Sequence, residues 1–204
     1  MKNMKKILVL ALAALLLVAV SVAGTVAYLT ATTGDLVNTF TPTTISVGLS
    51  ETKPTNNTAP IIPGVAIEKD PKVTASATSG VAYWVFVEIT EGTWLNAKET
   101  DGTTRKLEYA VDTAWTLLGT KQNGAKVYYQ AVNNGGEFED EVLANNQVTV
   151  STTLTAAEMP AAQNSTLTFK AYAIQQATFA SAAAGYEEAS GNEVTVANTE
   201  TTTP

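Results

Sequence analysis

The sequence predicts an all-β fold, an antiparallel β-sandwich with one or two short helices. Short runs of alternating apolar and polar residues recur along the 204-residue chain, and such alternation is typical of half-buried strands. Turn signals at Asp101-Gly102, Asn123-Gly124 and Asn134-Gly135-Gly136 separate several of these runs. Helical patterns are few and short. Many short strands with marginal helices indicate a sandwich, and we expect its jelly-roll version.

The first strand is predicted at residues 45–50. Ile45, Val47 and Leu49 alternate there with small or polar residues, so we expect a half-buried strand with one apolar face. The residues that follow, 51–63, contain three prolines and several polar side chains. They predict a long polar loop.

Residues 82–89 show the strongest strand pattern of the chain. β-Branched and aromatic residues occupy both sides of this stretch, with Val85 on one side and Trp84 and Phe86 on the other. This pattern predicts a central strand that is covered on both faces as far as Glu88.

Shorter strands are predicted along the rest of the chain. An edge segment is expected at residues 67–71, because Pro71 is tolerated at a sheet edge and not in a central strand. Further strands are expected at residues 73–77, 107–111, 115–118, 127–132, 142–143, 148–153 and 167–175.

Two short helices and a tail complete the predicted elements. Thr155 and Glu158 have capping-box spacing, and Pro160 follows them, which predicts one helical turn that the proline ends. Residues 181–189 are rich in alanine and lack β-branched side chains, so we expect a short helix there. Residues 191–204 are expected to form a flexible tail, disordered or weakly paired.

Residues 1–27 have the order of parts of a secretory signal peptide. Three lysines precede an uncharged apolar run at residues 7–20, and small or β-branched residues follow it. The alternative is a retained membrane anchor at residues 7–29, which is long enough to span a bilayer. We expect export and cleavage, so that the protein meets a membrane only through its uncleaved signal peptide.

The predicted cleavage site lies between Ala27 and Tyr28. Thr25 and Ala27 place small residues at the −3 and −1 positions of this site, and Ala23 precedes a second candidate site. Cleavage at the first site leaves a sandwich domain at residues 28–190 followed by the tail. We expect this product in the extracellular matrix or on the cell surface of a Gram-positive bacterium.

Charge and composition exclude several classes of function. Loss of the three N-terminal lysines changes the formal net charge from −7 to −10, and such a surface repels nucleic acids and anionic lipids. The chain has no histidine and no cysteine. Catalytic triads, imidazole bases and the usual zinc sites are therefore excluded, and we expect no catalytic residue, no cofactor and no metal.

Two groups of residues are candidates for ligand contact. The acidic cluster Glu137, Glu139, Asp140 and Glu141 follows two glycines, and we interpret it as a solvated loop rather than a calcium site, because its spacing does not match an EF-hand. Trp94 has a loop setting and could contact a sugar ring, whereas Trp84 and Trp115 lie in strand patterns and are expected in the core.

Several stretches of the chain together follow the pattern of one protein family. They are Gly24 to Thr30, Val37 to Thr41, Ile45 to Leu49, Pro63-Gly64, Glu68 to Val73 and Lys170 to Gln175. In these stretches the chain resembles the TasA/camelysin group of exported Gram-positive proteins, whose signal peptides are cognate to a SipW-type signal peptidase. Their order and spacing look like the clostridial branch of the group.

The resemblance implies a jelly-roll subunit of biofilm matrix fibres. Each subunit would lend residues 28–40 to the sheet of the next as a donor strand, with Leu29, Leu36, Val37 and Phe40 as its apolar side chains. The alternative is that residues 28–40 form an edge strand of their own domain. The implied partners are further copies of the chain, the SipW-type peptidase, and a matrix or cell-surface anchoring protein.

The sequence departs from the family in one respect. Camelysin-type relatives have been described as metalloproteases, but a chain without histidine and cysteine lacks the usual zinc ligands. We therefore expect a secreted, non-catalytic structural protein. A carbohydrate- or ligand-binding sandwich module is the main alternative, and a camelysin-like protease is a further one.

Overall fold

The computed structural model describes Met4, Lys6 and residues 44–53, 58–78, 80–92 and 97–197. The chain divides into two units, Met1–Thr41 and Pro42–Pro204. The strands of the second unit are β1 Ile45–Ser50, β2 Ile67–Glu68, β3 Lys72–Ala77, β4 Tyr83–Glu91, β5 Leu107–Glu108, β6 Thr116–Thr120, β7 Lys126–Val132, β8 Gly136–Glu141, β9 Gln147–Val150, β10 Leu167–Gln175 and β11 Thr195–Val196. Its α-helices are α1 Met159–Ala162 and α2 Ala182–Ser190.

The strands form an antiparallel β-sandwich, as predicted. One sheet has five strands in the order β10-β4-β7-β6-β11, a second has the order β1-β3-β8, and a third has the order β2-β9-β5. Each pair of neighbouring strands is antiparallel. The jelly-roll connectivity stays a prediction.

The main core lies between the five-stranded sheet and the two smaller sheets. From β4 it receives Tyr83, Val85, Val87 and Ile89, which are at most 1% exposed. The smaller sheets contribute buried side chains from β3, β5 and β9. The hydroxyl of Tyr83 donates a hydrogen bond across the core to the carbonyl of Gly136, at 3.0 Å. The prediction that residues 82–89 form a central strand is confirmed.

A second, smaller apolar cluster lies on the opposite face of the five-stranded sheet. Its buried members are Phe86, Leu118, Val127, Tyr186 and Val194. The helix α2 covers this face, begins after Ser181, whose side chain accepts a hydrogen bond from the Ala184 N–H, and ends at Gly191 in the left-handed conformation. A serine N-cap and a glycine at the C-terminus are standard helix end signals, and the predicted helix is confirmed.

The helical turn near Pro160 differs from the prediction. Glu158 does bond to Thr155, accepting from its N–H at 2.9 Å and from its hydroxyl at 2.8 Å. The helix α1, however, begins at Met159, so Pro160 lies in its first turn rather than after its end. Proline fits the first turn of a helix because its missing N–H would have no intrahelical partner there.

Of the predicted tail, expected to be disordered or weakly paired, the structure describes residues 191–197, and these include a two-residue strand. Thr195 and Val196 form β11, which adds to the edge of β6. Val194 is 8% exposed and packs in the second cluster. The burial of this one apolar side chain and the ladder to β6 hold the segment against the sheet.

Residues 136–141 form a strand, β8, where we expected a solvated loop. Phe138 supplies the reason, because it packs against the main core and lies edge-on to Trp115, with the two ring centroids 5.9 Å apart. The glutamates at alternate positions then face outward.

Candidate functional site

Two neighbouring edge strands of the sandwich are each paired on one side only. β1 pairs with β3 and β10 pairs with β4, and both are terminal strands of their sheets in the described part of the chain. Cα atoms of β1 lie within 8 Å of Cα atoms of β10, yet no hydrogen-bonded ladder joins these two described strands. We call this junction, residues 45–50 and 167–175, the open seam.

Two of the three inward-facing side chains of β1, those of Val47 and Leu49, are exposed, whereas the third, Ile45, packs partly buried against the main core. Val47 lies opposite Ala75 and Leu49 lies opposite Val73, and directly opposed residues share one face of a sheet. The two β3 residues are 6% and 0% exposed, whereas Val47 and Leu49 are each 41% exposed. The prediction of a half-buried β1 is therefore wrong at these two positions, because no described strand covers the core-facing side of the edge.

The edge of β10 presents backbone hydrogen-bonding groups beside apolar side chains. The Gly92 N–H donates to the Thr166 carbonyl at 2.7 Å, so the even-numbered residues of β10 are the ones that bond to β4. The odd-numbered residues then direct their N–H and C=O groups to the other edge of β10, with which no described strand pairs. The apolar ones among them also pack their side chains partly against the main core: Leu167, Phe169, Ala171 and Ala173.

The open seam widens into a cavity of about 640 Å³ at the end that carries Leu49 and Leu167. Its apolar walls are formed by Leu49, Ile61, Ile67, Leu107, Val148, Leu167 and Phe169. Polar lining residues add hydroxyl, amide and charged groups: Ser50, Glu51, Thr58, Lys69, Gln163, Ser165, Thr166 and Thr168. A lining that combines apolar and polar groups suits an extended peptide or a small amphipathic ligand.

The charged groups of the lining neutralise each other. The Lys69 ammonium lies 2.7 Å from the Glu51 carboxylate, and both side chains are largely buried. The same ammonium lies 5.4 Å from the ring centroid of Phe169, which is within cation–π distance. The cavity therefore has no strong preference for a charged occupant.

Asp70 anchors the chain directly after β1. Its carboxylate accepts hydrogen bonds from the backbone N–H groups of Thr52 and Lys53, at 2.9 and 2.6 Å, and from the Thr52 hydroxyl. The Lys53 carbonyl in turn accepts from the Asp70 N–H at 3.3 Å. The C-terminal end of β1 is thus fixed to the β2–β3 connection.

The outer edge of β8, with which no described strand pairs, differs chemically from the open seam. Four of its six residues are acidic, and Lys72 on the neighbouring strand lies 2.9 Å from Glu139 and 3.3 Å from Glu141. Charged side chains on an edge strand discourage the addition of another strand. No group of residues suited to hold a metal ion occurs in the described ranges, which include this acidic cluster.

A buried carboxylate lies under α2, away from the open seam. Glu88 is 2% exposed, and the Lys121 ammonium lies 3.1 and 3.2 Å from its two oxygens. The Tyr186 hydroxyl donates to Glu88 at 2.9 Å, and the Tyr172 hydroxyl approaches it at 3.4 Å. Burial raises the pKa of Tyr186 above its usual range, so this hydroxyl remains a donor at neutral pH. The arrangement ties α2 to the sheet.

Lys106 joins two loops beside the small sheet β2-β9-β5. It is 8% exposed and donates to both oxygens of Glu158, at 2.7 and 2.8 Å. This ion pair, together with hydrogen bonds from Thr155, lowers the pKa of Glu158 to about 2. With its ammonium hydrogen-bonded to both oxygens of Glu158, Lys106 links the two loops.

Most of the site residues predicted from the sequence lie outside the described residues. They are Thr25, Ala27, Tyr28, Leu29, Leu36, Val37, Phe40 and Trp94. The two other tryptophans were expected in the core, and this is confirmed for Trp115, which is 5% exposed and donates its indole N–H to the Glu141 carbonyl at 2.8 Å. Trp84 is partly buried and packs against the second cluster.

The residues of the open seam were not predicted as a site from the sequence. The alternation in residues 45–50 and 167–175 indicates strands, but it does not show which strands are terminal or which become neighbours. One signal was present, since β1 contains no charged residue, whereas edge strands often carry charges as protection.

Comparison of the chain with protein-family models, with curated proteins and with solved structures gave no match. Among the described residues, no helix has the length and apolar character needed to cross a membrane.

Proposed function

We propose that the protein is a secreted, non-catalytic subunit of extracellular fibres, similar to TasA/camelysin-type matrix proteins, and that it assembles by strand donation. In this assembly residues 28–40 of one copy occupy the open seam of the next copy. The observation that carries the proposal is the apolar open seam itself, where two neighbouring edge strands present backbone groups and core-facing side chains that no other described strand covers.

Backbone chemistry supports this choice of occupant. An added strand satisfies the outward N–H and C=O groups of an edge and fills alternate side-chain positions along it. Residues 28–40 contain no lysine, arginine or glutamate and one aspartate, which suits a seam whose lining charges are already paired. The segment also precedes β1 directly in the chain, so a copy that lends it brings its own seam close to its neighbour.

Energetics favour the apolar side chains as the main source of affinity. Full burial of one Leu, Val or Phe side chain contributes roughly 1.5–3 kcal/mol. In an extended strand Leu36 and Phe40 share one face and Val37 lies on the other. Burial of the two on the core-facing side can thus supply several kcal/mol that a free monomer lacks. The backbone ladder adds directionality, because it fixes the register of the added strand.

Deletion of residues 28–38 from the secreted form tests the proposal. The shortened protein should remain folded and soluble but form no fibres, and a synthetic peptide of residues 28–41 added in excess should stop fibre growth of the full-length protein. Fibre formation is followed by electron microscopy and light scattering, and folding by circular dichroism and thermal unfolding.

A matched pair of multiple substitutions tests whether the apolar side chains themselves are required, because both variants keep the full length of the segment. Leu36→Ser with Val37→Ser and Phe40→Ser should abolish fibres, whereas Asn38→Ser with Thr39→Ser should leave them intact. Unchanged fibres in the deletion variant would contradict strand donation and favour a ligand-binding module that uses the cavity. A deletion that lowers the melting temperature of the monomer would instead favour an intramolecular edge strand.

A further inference from the structure

We infer that the cavity at the end of the open seam binds one molecule of an uncharged, single-chain aliphatic amphiphile, with the chemistry of a fatty alcohol or a monoacylglycerol. The inference does not rest on strand donation, because it concerns a cavity within one copy of the chain. It gives the protein a small-molecule ligand in addition to its proposed protein partners.

The size and the apolar lining of the cavity indicate an aliphatic chain. Its volume of about 640 Å³ lies within the range of about 300–1,000 Å³ that is usual for small-molecule sites. Two of its lining residues, Leu107 and Val148, are only 2% and 5% exposed and belong to the main core. An apolar group in the cavity therefore contacts core side chains and leaves water, which is favourable.

The ion pair in the lining favours a ligand with an uncharged head group. Lys69 and Glu51 lie 2.7 Å apart, and their side chains are 15% and 17% exposed, so each already has its counter-ion. A ligand carboxylate would add a second negative charge beside Glu51, and a ligand ammonium would add a second positive charge beside Lys69. Like charges that share one site disfavour each other.

Hydroxyl groups supply the polar contacts that such a head group needs. Thr166 and Thr168, at the start of β10, and Ser50, at the end of β1, all line the cavity. A hydroxyl both donates and accepts hydrogen bonds. These side chains therefore suit a hydroxyl or ester head group on an aliphatic chain.

Titration of the soluble, secreted protein with three eight-carbon ligands tests the inference. The ligands 1-octanol, octanoate and octylammonium share their chain and differ in the charge of the head group. Isothermal titration calorimetry should show one octanol bound per chain, with the negative heat-capacity change that marks apolar burial. Octanoate and octylammonium should bind at least about tenfold more weakly, because each brings an uncompensated charge into the lining. Absence of saturable octanol binding, or equal binding of octanoate, would overturn the inference.

A matched pair of leucine substitutions locates the binding site. Leu49 lines the cavity and is 41% exposed, whereas Leu117 lies on β6, outside the lining, and is 42% exposed. Leu49→Trp should weaken octanol binding by roughly tenfold or more, because the larger side chain takes the space of the ligand. Leu117→Trp should leave the binding unchanged. If Leu49→Trp does not fold, Ile61→Trp fills the cavity from the preceding loop of β2, and unchanged binding by the folded cavity variant refutes the site.

Glu51→Gln tests the role of the ion pair. This change leaves the Lys69 ammonium without its carboxylate partner, so octanoate should gain affinity and bind more tightly than octanol. An unchanged order of the two ligands would contradict selection of the head group by the pair. Sedimentation with phosphatidylcholine vesicles distinguishes a free ligand from a membrane surface, and protein that pellets with the vesicles would overturn the assignment.

Discussion

At the scale of single residues, we expect the buried carboxylate of Glu88 to contribute to stability only while its hydrogen-bonding partners are present. Glu88 is enclosed by Lys121, Tyr186 and Tyr172 beneath α2. Breaking one partner from a buried ion pair leaves an uncompensated charge, which costs about 3–5 kcal/mol. The corresponding cost for a lost hydrogen bond to a charged group is about 1.5–3 kcal/mol.

We predict that Tyr186→Phe lowers the free energy of unfolding by about 1.5–3 kcal/mol, because it removes a hydrogen bond to a buried carboxylate. Tyr172→Phe is the matched control, and it should cost clearly less, since its hydroxyl lies 3.4 Å from Glu88 against 2.9 Å for Tyr186. Urea unfolding curves of the two variants give the comparison. Equal losses would show that the shorter contact has no special importance.

The position of Glu88 illustrates why a single sequence does not show every buried group. The sequence pattern predicts that β4 is covered on both faces only as far as Glu88. In the structure, Glu88 itself is buried. The deciding partners are 33 and 98 residues away in the chain, and no local pattern indicates them. Trp115 was correctly assigned to the core because its own strand pattern was enough.

At the scale of elements, β11 depends on the absence of a side chain at Gly119. A Cβ atom at this position would lie 2.1 Å from the Thr195 carbonyl oxygen, far inside any real contact. The only ladder of β11 is the one to β6 in the described part of the chain, so this close approach holds the end of the sheet together.

We predict that Gly119→Ala separates β11 from β6. The readout is hydrogen exchange of the Ala197 N–H, which donates to the Leu118 carbonyl at 2.9 Å. Loss of a backbone hydrogen bond worth about 0.5–1.5 kcal/mol lowers the protection of this amide by roughly twofold to thirteenfold. Thr120→Ala, at the exposed next position, is the control and should leave the protection unchanged. Equal protection in both variants would contradict the close approach.

Elements that depend on their own sequence pattern were predicted well, whereas features that depend on distant parts of the chain were not. β10 begins and ends as predicted, and α2 follows its serine cap and its glycine end. Residues 136–141 form the strand β8 where a loop was expected. Their acidic composition indicates a loop, and it outweighed the strand signal of the single inward aromatic residue, Phe138. Pro160 was expected to end a helix, although proline suits the first turn of a helix equally well. The open seam could not be predicted, because it depends on which strands end the sheets.

At the scale of the whole molecule, the proposed export has its own test. If the resemblance to SipW-processed proteins holds, the mass of the secreted protein corresponds to a chain that begins at Tyr28. A chain that begins at Gly24 would indicate a general signal peptidase. A mass that still includes residues 7–20 would support a retained anchor and contradict both cleavage sites.

The acidic edge of β8 has a consequence for the geometry of any polymer. A copy that approached it would meet a row of like charges, whereas a copy that approaches β10 meets backbone groups and apolar side chains. If subunits add by the proposed strand donation, growth is restricted to one end of each subunit, and we expect a single-file, polar thread with unlike ends rather than a two-dimensional lattice. We expect such threads to repel one another sideways at low ionic strength and to approach more closely in added salt, which shortens the range of that repulsion.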